Sequence, residues 1–345
     1  MRLKYVRAGL LAAILCACLA LPPWTQGQGQ SPITDQGHSG GPALNQDQTP
    51  EAQNPIRVQV GLVNLFVTVR DKHNAIIPNL TKDDFKVQED GQEQKIAFFS
   101  KEVDMPITLG LLIDTSGSQT RVLGAEQDAA SRFIHEVLRK KDEAMIISFD
   151  LDADLLADFT DDTAILERAI RKTVINAASG GGGTATTIPQ NGPMGTVFYD
   201  AVYLASHDEL RDQAGRKAII ALTDAQDEGS RLKAQDAIEA AQRSDTVVHI
   251  ILISDPGFYG FFGYGGAGVA HKMAEDTGGR VIEVRNEKNL EKAFDQISEE
   301  LRSQYVIGYY PTNTKRDGSF RKVKVETTNS DAKILTRRGY YAPTD

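Results

Sequence analysis

Short apolar runs alternate with longer amphipathic stretches through the middle of the chain. Each apolar run is too short for a helix and is rich in Ile, Leu, Val and Ala, which predicts a buried strand. The amphipathic stretches have apolar residues three and four positions apart, as along one face of a helix. The predicted strands are residues 107–113, 144–149, 154–159, 217–222, 246–253 and 280–284, and the predicted helices are residues 125–138, 164–172, 197–210, 231–243, 269–277 and 289–302. This alternation predicts an α/β fold with a doubly wound, mostly parallel sheet, in which residues 154–159 form an antiparallel edge strand.

The two flanks of this region have the period-two alternation of β-strands. It runs through residues 56–101 and again through residues 305–327. The Asp-Gly pairs at 90–91 and 317–318 lie between alternating runs, which is a strong hairpin signal. Each flank holds only about two to four strands, against the usual ~4–6 of a sheet. We therefore expect the two flanks to form one small β-sandwich, into which the middle region is inserted.

The N-terminus has the pattern of a secretion signal. Three basic residues among the first seven precede an apolar run at residues 8–21, which is too short to cross a bilayer comfortably. We predict a signal peptide over residues 1–25 and an exported protein that is periplasmic, envelope-associated or extracellular. Residues 26–55 are rich in Gln, Gly, Ser, Pro and Asn and predict a flexible linker.

The 2 cysteines, Cys16 and Cys18, both lie inside the predicted signal peptide. A disulfide or a cysteine-based zinc or catalytic site is therefore not expected in the mature protein. Residues 15–18 are similar to a lipoprotein processing box with Cys18 as the lipidated residue, which would be the only membrane attachment. The alternative is ordinary cleavage after Ala20 or further on, which the continuation of the apolar run past Cys18 favours.

The composition is that of a soluble globular protein, with 41% hydrophobic and 25% charged residues. The formal net charge is −9, and removal of the three basic residues of the signal peptide changes it to −12. An acidic chain is a poor partner for nucleic acid, because binding to phosphates needs a basic surface.

Candidate chemistry appears where the first strand of the middle region ends, in Asp114-Thr-Ser116-Gly-Ser118. The carboxyl ends of parallel strands form the edge of an open α/β sheet that binds ligands. A carboxylate and two hydroxyls at alternate positions are hard oxygen donors, which a divalent cation such as Mg²⁺ prefers. The alternative is that Ser116 or Ser118 merely caps a helix beginning near Gln119. Capping explains one hydroxyl but not the whole set.

This motif resembles the metal-ion-dependent adhesion site of von Willebrand factor type A domains. That site uses Asp-x-Ser-x-Ser from one loop, a threonine from a second and an aspartate from a third. The resemblance covers residues 105–305 and implies a metal site with these members: Asp114, Ser116, Ser118, Thr196 and Asp224. The three hydroxyls would bind the ion directly, and the two carboxylates either directly or through waters.

Other loop residues modify this picture. Ala225 stands where the family usually has glycine, and because alanine avoids positive φ we expect the third loop to be less standard than the first. Thr184 is a rival to Thr196 but lacks the helix start that follows it. Asp227 and Glu228 either tune the third loop electrostatically or belong to a solvated loop face.

The flanks resemble a bacterial family of secreted von Willebrand A-related proteins, found notably in acidobacteria, through residues 84–96 and 304–311. The predicted division of the mature protein is therefore a first part of the β-sandwich at residues 56–104, the type A domain at residues 105–304, and the second part of the sandwich at residues 305–345.

Two long predicted loops, residues 176–195 and 254–268, join elements at the edge of the sheet that carries the motif. The second contains Phe258, Phe261 and Phe262, which predict a protein-binding surface if they are exposed; the alternative is that they pack back onto the domain.

The resemblance implies an exported, metal-dependent adhesion or scaffold protein. The expected cofactor is Mg²⁺, or else Mn²⁺ or Ca²⁺, and the expected partner is a protein that supplies an acidic side chain to the ion. We do not expect an enzyme, because no general base or nucleophile accompanies the motif and the Gly-x-Ser-x-Gly elbow is missing. Two alternatives remain: a metal-assisted hydrolase that uses the same acids, and a structural subunit of an envelope assembly with a purely structural metal.

Overall fold

The computed structural model of the protein describes residues 61–101, 105–176, 195–253, 266–286 and 288–344. The predicted signal peptide and linker, Thr184 and the aromatic residues of the second long loop lie outside these ranges. Within them, no helix has the length and apolar character needed to cross a membrane.

A six-stranded sheet forms the centre of the middle region. Its strands are β5 (Ile107–Asp114), β6 (Glu143–Phe149), β7 (Ala153–Thr160), β8 (Arg216–Thr223), β9 (Thr246–Ile253) and β10 (Val281–Val284). The order is β10-β9-β8-β5-β6-β7, and every neighbouring pair is parallel except β6 and β7. The predicted doubly wound sheet with an antiparallel edge strand is thereby confirmed.

Helices cover both faces of this sheet. They are α1 (Leu123–Val137), α2 (Thr163–Arg171), α3 (Phe198–Tyr203), α4 (Ala234–Arg243), α5 (Ala267–Thr277) and α6 (Lys288–Arg302). Successive residues of a strand face opposite sides, so Leu111 packs with α1, α2 and α6, and Leu112 with α3, α4 and α5. Both residues are fully buried, which is worth about 1.5–3 kcal/mol for each such side chain.

Two helices differ from the predicted bounds by more than two residues at one end. The helix predicted over 197–210 is α-helical only to Tyr203 and continues as a π-helix over Leu204–Glu209. The helix predicted over 231–243 begins at Ala234, because the N–H groups of Arg231 and Leu232 donate to Asp200 rather than starting a helix.

The two flanks form two four-stranded antiparallel sheets that share one apolar core. The first has the order β13-β1-β11-β4 and the second the order β14-β12-β2-β3. The strands are β1 (Val63–Arg70), β2 (Phe85–Glu89), β3 (Gln92–Gln94), β4 (Ile96–Lys101), β11 (Tyr305–Tyr309), β12 (Phe320–Thr327), β13 (Lys333–Leu335) and β14 (Gly339–Tyr341). Each sheet combines strands from both flanks, as the predicted fold class requires.

One of the two predicted hairpins is present. Asp90 (φ 48°) and Gly91 (φ 80°) make the tight turn between β2 and β3, which pair antiparallel. The expectation for Asp317-Gly318 is wrong, because β11 and β12 belong to different sheets. Both edges of β11 are occupied by β1 and β4, so β12 pairs with β2 and β14 instead.

A buried ion cluster joins the sandwich to the central region. Glu300 of α6 is 1% exposed, and its carboxylate lies 2.5 Å from Arg70 Nη2 of β1 and 2.8 Å from Arg280 Nε. His249 Nδ1 of β9 lies 3.6 Å from the same carboxylate. One carboxylate therefore faces two guanidinium groups and an imidazole, and all of these side chains except that of Arg280 are almost fully buried.

This cluster predicts an acid-sensitive term in the stability. Burial, reinforced by the positive charges of Arg280 and Arg70, lowers the pKa of His249 to about 3. In the unfolded chain a histidine has a pKa of about 6.5. Between this pH and about 3, His249 is therefore protonated in the unfolded chain but neutral in the folded protein, which favours unfolding. The contribution of His249 to the free energy of unfolding is complete above pH ~6.5. It is lost as the pH falls toward 3, by up to ~1.4 kcal/mol per pH unit.

Urea unfolding at several pH values between 7 and 4.5 measures the slope of the free energy of unfolding against pH. We expect His249→Gln to flatten it, whereas His135→Gln, at an exposed position of α1, leaves it unchanged. Equal slopes in the wild type and His249→Gln would contradict the assignment.

Candidate metal centre

Asp114 ends the central strand β5 and is fully buried between β6 and β8. Its Oδ1 accepts a hydrogen bond of 2.9 Å from the backbone N–H of Ser116. Its Oδ2 accepts one of 2.6 Å from the hydroxyl of Thr223, at the end of β8. The carboxylate is thus held between the first and third loops at the carboxyl edge of the sheet.

The two serines of the motif face one another. Ser116 Oγ and Ser118 Oγ lie 2.9 Å apart, and Gln119 Nε2 lies 3.2 Å from Ser118 Oγ. The capping alternative is wrong for Ser116, because its side chain makes no cap hydrogen bond to the short turn Gly117–Gln119. Helix α1 begins only at Leu123.

The third loop brings Asp224 to the same edge. This aspartate is 3% exposed, and its Oδ1 accepts a hydrogen bond of 3.0 Å from the N–H of Gln226. Ala225 adopts φ 57°, the left-handed conformation that glycine would take, at a cost of about 1–2 kcal/mol. Its N–H donates to the hydroxyl of Thr223 at 2.9 Å. The expectation that the third loop is less standard than the first depends on alanine avoiding positive φ, and Ala225 does not avoid it.

The second loop lies directly against the third. The carbonyl oxygen of Thr196 accepts hydrogen bonds from the N–H groups of Glu228 and Gly229, both at 3.1 Å. The two backbones are so close that a Cβ on Gly229 would lie 2.3 Å from the carbonyl oxygen of Gly195. The backbone of Thr196 is thus fixed beside the loop that carries Asp224, and the role of its hydroxyl as a metal ligand stays a prediction.

Asp227 connects the third loop to the start of α3 through hydrogen bonds and is not a fully solvated residue. Its Oδ2 accepts hydrogen bonds from the N–H of Tyr199 at 2.9 Å and from the hydroxyl of Ser230 at 2.5 Å. Burial raises the pKa of Asp227, and the charge of Asp200 adds to the increase. The sequence indicates this connecting role only weakly, through the position of Asp227 a few residues after the end of β8.

Negative charge accumulates in the centre. Burial first, and then the charge of Asp224, raises the pKa of Asp114 to about 7, although hydrogen bonds from Ser116 and Thr223 act in the opposite direction. A further acid, Glu126, is also fully buried, and it could not be predicted because a single glutamate in an amphipathic helix gives no signal.

The donor set fits a divalent cation. Carboxylate and hydroxyl oxygens are the hard ligands that Mg²⁺ and Ca²⁺ prefer. A cation would also reduce the repulsion between the buried carboxylates. In the parts of the chain that the structure describes, no group of three or more His, Cys, Asp or Glu side chains is placed to hold a metal ion. The predicted set does not need one, since it consists of two carboxylates and three hydroxyls.

Comparison with known proteins identifies the fold of this region. Residues 109–226 match the family model described as von Willebrand factor type A domain. No curated protein matches the chain. The family match includes all three loops of the candidate metal centre.

Three similar solved structures are of bacterial proteins. The conserved hypothetical protein BatB from Bacteroides thetaiotaomicron is 18% identical, with 57% of this chain and 100% of that chain covered and a TM-score of 0.43. The vWF domain of the type V pili tip protein Mfa5 from Porphyromonas gingivalis is 14% identical, with coverage of 58% and 96% and a TM-score of 0.41. The von Willebrand factor type A protein from Catenulispora acidiphila is 13% identical, with coverage of 76% and 74% and a TM-score of 0.43. Since these TM-scores are all below 0.5, the assignment depends on the family model: residues 109–226 of the chain are a von Willebrand factor type A domain.

Proposed function

We propose that this domain binds a divalent cation and uses it to capture an acidic side chain of a protein partner. Mg²⁺ is the first choice and Mn²⁺ or Ca²⁺ the alternatives. The observation that carries the proposal is that buried Asp114 and Asp224 lie close enough for their charges to interact, with the paired hydroxyls of Ser116 and Ser118 beside Asp114. Two buried carboxylates that raise each other's free energy are stabilised by a cation between the loops. The proposed ligands are Asp114, Ser116, Ser118, Thr196 and Asp224.

The charge balance favours binding of a carboxylate. Only two carboxylates are proposed as direct ligands of the ion, so a further carboxylate can enter its shell. The chain has a formal net charge of −9, and an acidic partner is therefore repelled at long range, over about 8 Å in physiological salt. A bound cation counteracts this repulsion at one place, which confines attachment to this edge of the sheet.

We further propose that the site binds a partner and does not catalyse a reaction. The protein would be exported and would act in adhesion or as a scaffold. The side chains around Asp114 hold it in place through Ser116 and Thr223, and among them we identify no activated nucleophile or positioned general base. Export is supported by the signal pattern of the first 25 residues.

Titration calorimetry with MgCl₂ tests the cation site. We expect Asp114→Asn, which keeps the shape of the side chain but removes its charge, to weaken binding at least about tenfold, or ~1.4 kcal/mol. Asp154→Asn, at an exposed position of β7, is the matched control and should bind as the wild type does. Circular dichroism should be the same for all three proteins, because the site is made of loops. Equal affinity of the wild type and Asp114→Asn would reject the assignment.

The alternatives give different results with the same two proteins. Capture of an envelope protein that is lost both in excess chelator and with Asp114→Asn supports the carboxylate mechanism. Capture that persists in chelator points to a structural metal, and phosphoesterase activity that disappears in Asp114→Asn points to a hydrolase.

A further inference from the structure

A third buried acid, Glu126, lies in the turn that leads away from the metal loop. It belongs to the first turn of α1, where its N–H donates to the carbonyl oxygen of Val122 at 3.0 Å. The side chain is 0% exposed. Neither of its carboxylate oxygens has a hydrogen-bond partner among the residues that the structure describes.

This environment is unfavourable for a carboxylate. Buried polar groups are nearly always hydrogen-bonded, and an unpartnered carboxylate is among the costliest groups to bury. The charges that act on Glu126 most strongly are those of Asp114 and Asp224, and both are negative. With burial as the larger cause, they raise the pKa of Glu126 well above its ordinary value. An apolar side chain of similar size would fit this position better in the absence of a cation.

We propose that Glu126 is a third acidic group of the metal centre, which strengthens cation binding through its negative charge. The inference rests on the proposed function, since it requires a cation near Asp114 and Asp224. Glu126 is not one of the direct ligands in this proposal, because no trio of acids is placed to coordinate an ion jointly in the described ranges. Its charge acts within the buried interior of the domain, where electrostatic interactions are much stronger than in solvent.

The charge of the ion provides a specific test. Coulomb energy is proportional to the product of the charges, so the loss of one negative charge affects a trivalent ion one and a half times as much as a divalent one. In Glu126→Gln we expect the Kd for Mg²⁺ to rise about tenfold and the Kd for Tb³⁺ about thirtyfold. Calorimetry on the full chain measures both. Glu136→Gln, at an exposed position of the same helix, is the matched control and should match the wild type with both ions.

The outcomes separate this inference from the proposed function. Failure of the wild type to bind Mg²⁺ overturns both. Binding by the wild type with equal affinity in Glu126→Gln overturns only the inference, and so does an equal loss for Mg²⁺ and Tb³⁺, which indicates a structural disturbance. If Glu126→Gln fails to fold, Glu126→Leu replaces it, because an apolar side chain makes no demand on this unpartnered site. The unequal losses for the two ions are then expected from Glu126→Leu.

Discussion

Replacement of Glu300 by glutamine is expected to lower the free energy of unfolding by about 3–5 kcal/mol. Glu300 supplies the carboxylate that faces Arg70 and Arg280 in the buried ion cluster. Without its charge, two guanidinium groups remain in a region of low dielectric constant beside a histidine that stays neutral. Removal of one partner of a buried ion pair is costly because the remaining charges are neither solvated nor neutralised.

Urea unfolding followed by circular dichroism measures this loss, and Glu299→Gln is its control. Glu299 precedes Glu300 in the same helix but is exposed, so its replacement should change stability by no more than ~0.5 kcal/mol. A loss below about 1 kcal/mol in Glu300→Gln would show that the cluster contributes little. Because Arg70 belongs to β1 and Glu300 to α6, a large loss would also show that the contact between the sandwich and the type A domain stabilises the whole chain.

Removal of residues 305–345 is expected to abolish the protection of the N-terminal strands against hydrogen exchange. The deletion takes away β11 and β13, the two neighbours of β1, and β12, one of the two neighbours of β2. A sandwich that has lost half of its strands cannot cover its core, and isolated short hairpins are marginal in water. We expect protection of the amides of β1 and β2 to fall by at least about 10³-fold, which corresponds to ~4 kcal/mol of local stability.

The amides of β5 and β8 serve as the internal control for the deletion. They lie at the centre of the parallel sheet and pair with one another, so their protection should persist. Retention of full protection in β1 would mean that the N-terminal flank folds without the C-terminal one, against the shared sandwich. Loss of protection throughout the chain would mean that the domain boundary predicted near residue 304 is wrong.

The sequence predicts the central sheet well because its signals are local. A parallel strand covered on both faces must be apolar along its whole length, and strand 246–253 was predicted with the bounds that the structure has. The same rule locates Asp114, the last residue of β5, and Asp224, which directly follows β8. Their role as metal ligands remains a prediction.

Features that depend on distant parts of the chain could not be predicted in this way. Gly318 adopts a positive φ of 67°, as the Asp-Gly signal suggests, but the signal does not determine which strands are partners. The partners of Glu300 come from β1, from β9 and from the residue before β10, and none of them is unusual in its own segment. Glu126 occupies a helix position where an acid is ordinary, and only the fold shows that it is buried.

The interleaved sandwich also fixes an order of events during synthesis. The side chains of Glu89 and Tyr340 are hydrogen-bonded at 2.9 Å although they are 251 residues apart in the chain. Contacts of such long range form only after loop closure, whereas the type A domain can fold from its own nearby segments. The N-terminal strands therefore leave the ribosome first and find their partners last. In the interval they present unpaired strand edges, which is the state in which β-proteins most readily associate with other chains.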